Sequence, residues 1–109
     1  MPSRPMITPP ALQIPGIYHR RVGDITISAI SDGFLDGNLE VLKNITQDDA
    51  RQILTDNFRP ARRTAVNCFL VYSAGRLALV ETGCGTLMAA TGGQLMKNLA
   101  AAAIDPATI

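Results

Sequence analysis

The sequence predicts an α/β layer, and three features predict it. Two neighbouring runs, VNCFLVY and RLALV, are apolar on both faces, the pattern of strands covered from both sides. Ser73-Ala74-Gly75 joins them as a tight hairpin, with Gly75 available for a left-handed position. After a small-residue loop, QLMKNLAAAA places Leu95, Leu99 and Ala102 or Ala103 near one helical face. Strands that need cover, followed by a helix able to supply it, make a layered α/β arrangement.

The elements follow in order. MPSRPMITPPALQIP holds five prolines, so residues 1–15 read as an irregular arm that forms neither a regular helix nor a central strand. Residues 16–109 read as the folded part. In DITISAIS, Ile25, Ile27 and Ala29 share one face and Thr26 and Ser28 the other, which predicts a half-buried strand with its aliphatic side inward. SDGFLDG then supplies two Asp-Gly pairs that favour turns, and Asp32 and Asp36 are assigned to them. Thr46 caps a short helix with Asp48 and Asp49 in its first turn; Ala50, Ile53 and Leu54 form its buried stripe, and Phe58 is expected on the core beyond it. The second helix is expected to begin at Thr91 or the glycines, with Met96 adding a contact, and Ala107-Thr108-Ile109 to open an extended element.

Composition excludes several functions. Ten basic and nine acidic residues leave a formal charge of +1, too little for broad attraction to nucleic acid or an anionic membrane. The small clusters YHRR and RPARR read as solvated loop faces, since no stacking aromatics accompany them. Two cysteines do not make a disulfide framework, which favours a reduced, cytoplasmic protein. Cys68 reads as a small buried hydrophobe and Cys84 as the more exposed of the two. No stretch is long and apolar enough for a membrane span, and the arm lacks the core of a secretory signal.

The candidate site is ALVETGCGTL. Glu81 at a strand end can accept hydrogen bonds from loop amides and hold a sharp turn; as a general base or metal ligand it needs neighbours. The glycines of GCGTLMAATGG match neither the spacing of a phosphate-binding P-loop nor that of a dinucleotide fingerprint, and suit an awkward turn close to the sheet. His19 is the only histidine, and no His-x-His or Cys-x-x-Cys pair occurs, so no metal site and no catalytic residue is assigned to the chain alone.

The succession GDITISAISDG, NCFLVYSAGRLALVETGCG and GGQLMKNLAAAAIDPATI resembles the amino-terminal part of metallo-β-lactamase-fold hydrolases, in the branch with methyl-parathion-hydrolase-like and lactonase-like enzymes. The resemblance covers roughly residues 15 to 109. It implies a partial αββα fold, a mixed sheet with helices packed on one face, of which residues 16–109 form the amino-terminal half and another chain or further sequence the remainder. Glu81-Thr82-Gly83 matches the family's Asp-Thr-Gly, whose carboxylate supports the metal centre; the extra methylene displaces it by roughly 1 to 1.5 Å on a fixed backbone. Asp32, Cys84 and Gly85 are weaker loop candidates. The family's HxHxDH signature, which holds two divalent metals and activates water against a lactone, ester or phosphotriester, is absent. Zinc or another divalent metal is expected only where the downstream ligands are supplied.

The resemblance thus implies a non-catalytic amino-terminal segment of a metal-dependent hydrolase, with a structural or oligomerising role. Strands made for burial on both faces leave apolar surface and an open edge, so a homo-oligomer or a complementary carboxy-terminal fragment is the expected partner. Two other readings stand beside it. One is part of an active dinuclear-metal hydrolase completed by that fragment; the other is a small α/β ligand-binding protein using GCGTLMAATGG.

Overall fold

The computed structural model describes residues 4–109, so the first three residues of the expected arm lie outside the described residues. Four strands, β1 (Ile17–Val22), β2 (Ile25–Gly37), β3 (Arg62–Ser73) and β4 (Arg76–Val80), form one sheet in sequence order. Each neighbouring pair is antiparallel. Helix α1 (Gln47–Asp56) lies between β2 and β3, and α2 (Leu95–Ala101) follows β4.

Two-residue turns set the register. Gly23-Asp24 joins β1 to β2, with Gly23 at a φ of +61°. Ala74-Gly75 joins β3 to β4 with φ of +52° and +73°, the double left-handed turn whose twist suits a hairpin. Ala74 takes the less comfortable of the two positions because the Ser73 to Arg76 pairing closes the hairpin around it.

The YHRR cluster, expected in a loop, lies within β1: Ile17 pairs with Ile30 and Arg21 with Thr26, so the hairpin turn recruits this polar run into the sheet. SDGFLDG, expected as turns, continues β2. Pairing with β3 jumps from Ser31–Asn67 to Phe34–Ala65, so Asp32 and Gly33 face a single residue across the ladder. That β-bulge absorbs the Asp-Gly pair without ending the strand, and moves Leu35 to the face that Asp32 occupies.

The core lies on one side of the sheet. Ile17, Ile30, Cys68, Leu70, Tyr72 and Leu77 meet Leu95 and Leu99 of α2, with Ile7, Ile14 and Ile104 at the margin. This is the face that carries Ser28 and Asp32, both fully buried. The expected inward side of DITISAIS is therefore reversed. Alternation separates two faces, while the direction of α2 and the arm decides which is covered.

The other face is bare. Register aligns Tyr18, Ala29, Phe69 and Val80 in one row, and Arg20, Ile27, Val71 and Ala78 in the next. Tyr18 is 62%, Phe69 39% and Val80 55% exposed. The cover that the doubly apolar strands require on this side does not come from the described residues.

Away from the sheet, α1 is capped as expected, Thr46 Oγ1 accepting from the Asp49 amide at 3.1 Å. Ala50 is buried, but Ile53 and Phe58 are exposed, Phe58 at 95%. The expected docking of Phe58 fails because the long β2–β3 ladder carries α1 outward. A longest extent of 60 Å and a radius of gyration of 17.9 Å record this, against about 13 Å for a compact chain of this length. Helix α2 begins at Leu95, later than expected, because the preceding glycines are held by the bulge. Met96 faces outward, and Pro106–Thr108 forms a 3-10 turn capped by Asp105 where an extended element was expected.

Candidate functional site

The candidate site forms where the β2 bulge meets the loop after β4. Gly33 has a φ of +100°, open to glycine and strained for other residues, and a Cβ there would lie 1.9 Å from the Thr91 carbonyl. The Phe34 amide donates to that carbonyl at 3.1 Å, and the Thr91 hydroxyl donates to the Phe34 carbonyl. The end of the loop is thereby stitched to the bulge.

Asp32 is the hub. Its Oδ2 accepts from the Cys84 amide at 2.7 Å and its Oδ1 from the Leu95 amide at 2.8 Å. Its carbonyl accepts from the Gln94 amide at 3.1 Å. Gly83 approaches so closely that a Cβ there would lie 2.6 Å from the carboxylate. Burial alone pushes the Asp32 carboxyl up, but hydrogen bonds from Cys84, Leu95 and Gly93 outweigh it and hold the group below its ordinary value. The carboxylate thus fixes both ends of the 83–95 segment. Asp32, assigned from sequence to an Asp-Gly turn, lies in a strand instead. It stands two and four residues from Ile30 and Ser28, on the face that α2 covers, and the strand pattern by itself does not say which face that is.

Glu81 acts locally. It is exposed, adopts a φ of +72°, and its Oε1 accepts from the Gly83 amide at 3.1 Å. That bond closes the turn within the Glu81-Thr82-Gly83 motif. Thr82 is exposed. Gly85 has a φ of +56°, and its carbonyl lies where a Cβ on Gly93 would stand, 2.1 Å away. Beside Glu81 a depression of about 380 Å³ is lined by Leu35, Val66, Gly83, Cys84, Leu87 and Met88. Its walls are mostly apolar.

Neither thiol is poised as a nucleophile. Burial, reinforced by the charges of Asp32, Glu81 and Cys84, pushes Cys68 up to about 11. Cys84 is also raised, first by burial and then by the Asp32 carboxylate. We expect Cys68 to resist a water-soluble disulfide reagent at pH 7.5 in the native protein and to react at once in denaturant. Thiol counts before and after unfolding check this; rapid native reaction at Cys68 contradicts it.

His19 is elsewhere, in β1, with Nδ1 2.6 Å from Ser28 Oγ. Among the described residues no three His, Cys, Asp or Glu side chains gather to hold a metal ion. Both Asp32 oxygens are taken by amides, and Glu81 stands apart from any histidine, so the residues present do not fit a metal centre. Among the described residues no helix is long and apolar enough to cross a membrane.

Comparison with known proteins places this geometry. No protein-family model and no curated protein matches the chain. Solved structures do, among them the following two. The hydrolase AbOPH of the beta lactamase superfamily is 27% identical with a TM-score of 0.75, the match covering 90% of this chain and 35% of that one. AidC, a dizinc quorum-quenching lactonase solved with a product N-hexnoyl-L-homoserine, is 26% identical with a TM-score of 0.73, covering 86% of this chain and 33% of that one. The chain spans about a third of the length of either structure.

Proposed function

For a chain that matches the metallo-β-lactamase superfamily in a lactonase and hydrolase branch, we propose a non-catalytic structural role: the amino-terminal segment of a hydrolase fold, whose bare sheet face docks the remainder. One observation carries this reading. The more aliphatic face of β2, with Ile25, Ile27 and Ala29, is the uncovered one, continuous with Tyr18, Phe69, Val71 and Val80. A sheet rarely spends its apolar side on water, so a second β layer is its natural cover. The occupant we favour is the complementary carboxy-terminal part of the fold; self-association is the alternative for the segment by itself. Residues 16–109 then act as one unit behind the arm. The two free thiols suit a reducing cytoplasm.

Within the assembled protein, Asp32 and Glu81 position the loop beside the reaction centre and the remainder brings the metal ligands. The similarity to AidC favours lactones as substrates, with esters and phosphotriesters as further members of the class. Equilibrium dialysis against zinc tests the division of labour. The segment alone is expected to hold only substoichiometric zinc and to leave a lactone intact. Joined to a carboxy-terminal part that carries the ligands, it is expected to gain both. Stoichiometric zinc with hydrolysis by the segment alone contradicts the reading.

A further inference from the structure

The arm before β1 does more than trail along the surface. The Gln13 side chain sits on the outer edge of β1 like a short piece of strand: its Nε2 donates to the His19 carbonyl at 2.8 Å, and its Oε1 accepts from the His19 amide at 2.7 Å. One side-chain amide therefore occupies the amide and carbonyl that the edge strand presents at His19. On either side, Ile14 pairs with Ile17 and the Ile7 amide donates to the Gly75 carbonyl at 3.1 Å. Ile7 and Ile14 also pack against the core, so the arm straps the end of the sheet from the β3–β4 turn to β1.

Beneath this strap lies the one histidine. His19 is 9% exposed, with Nδ1 2.6 Å from the Oγ of the fully buried Ser28. A depression of about 480 Å³ between arm and strand, lined by Pro9, Pro10, Gln13, His19, Arg21 and Asp24, gives solvent a route to the ring.

We propose that residues 7–14 form a proton-sensitive strap, latched by Gln13 and His19, that detaches from β1 on acidification.

Surrounding chemistry supports release. From β1, Arg21 shares the face of His19; from β2 come Ser28 and Thr26; from β3, Tyr72; from the turn, Asp24, which lines the far side of the depression. Residues 5 to 14 carry no titratable side chain, and Lys97 of α2 is exposed. No carboxylate is paired with the ring, so a charge there leaves water without an opposite charge to meet it. Burial accordingly lowers the His19 pKa, only partly offset by the Leu12 carbonyl. A group that prefers to be neutral when latched stabilises the latch above its free value of 6.5 and withdraws that support as pH falls below it.

Amide exchange of the full chain at pH 7.5 and 5.5, corrected for intrinsic rates, tests this. Opening of 7–22 is expected to rise up to about tenfold at the lower pH, since only the open form takes up the proton freely. Protection of Leu70 and Leu79 should stay constant, separating strap release from unfolding. His19→Gln should remove the pH response, and Gln13→Ala should loosen the strap at both pH values while keeping it. An unchanged response in His19→Gln, a response absent from the wild type, or parallel loss at Leu70 overturns the proposal. Should His19→Gln fold poorly, titration of the His19 ring by NMR in the wild type serves instead: a pKa at or above 6.5 overturns it.

Discussion

Asp32→Ala is expected to lower stability by about 4 kcal/mol, from two charge-assisted hydrogen bonds lost, with the Leu95 amide left buried and the Cys84 amide half-buried without that acceptor. The Cys84 and Leu95 amides both donate to this one carboxylate, against which Gly83 packs directly. For a domain whose whole stability is roughly 5 to 15 kcal/mol, that is a large share. Urea unfolding measures it, and a midpoint near the wild-type value contradicts the role of hub. Asp32→Asn should fall in between, since one amide oxygen still accepts while its NH2 confronts the second donor.

Acid adds an independent check. The Asp32 carboxyl is held below its ordinary 3.8, so the unfolded chain binds more protons as pH drops past that value. Its contribution is complete above about pH 4 and is lost as pH falls through the depressed folded value. The acid limb of the stability curve should therefore flatten in Asp32→Asn.

The second large effect concerns the bare face. Phe69→Lys with Val80→Lys is expected to weaken self-association of the segment by about a hundredfold, or about 2.8 kcal/mol. The two residues are neighbours in one cross-strand row and both exposed, so two charges there oppose apolar docking without disturbing the core. Sedimentation equilibrium gives the constant, and hydrophobic-dye binding should fall alongside. A wild-type segment that is monomeric at micromolar concentration and binds little dye contradicts the docking face.

Much of the fold was legible in the residues. The doubly apolar runs of β3 and β4, the Ser73-Ala74-Gly75 turn, the Thr46 cap and the Leu95–Leu99 stripe all act over a few residues, where spacing translates directly into geometry. Strand β1 was not legible: YHRR has no apolar alternation, and becomes a strand because Gly23-Asp24 folds it onto β2. Nor was the site's hub. Asp32 and Gly33 have turn chemistry, and a ladder to β3 on either side is needed to make them a bulge.

Glu81 and Asp32 mark the boundary between the two kinds of information. By itself the sequence determined that a strand runs into a sharp small-residue turn with a carboxylate at its entrance, because local preferences decide that. Only the tertiary structure decided which carboxylate holds the loop. Asp32 and Cys84 lie 52 residues apart, and a hydrogen bond over that distance forms only after the sheet brings bulge and loop together. The covered side of the sheet was decided the same way: strand pattern creates two faces, and the placement of α2 and the arm chooses between them.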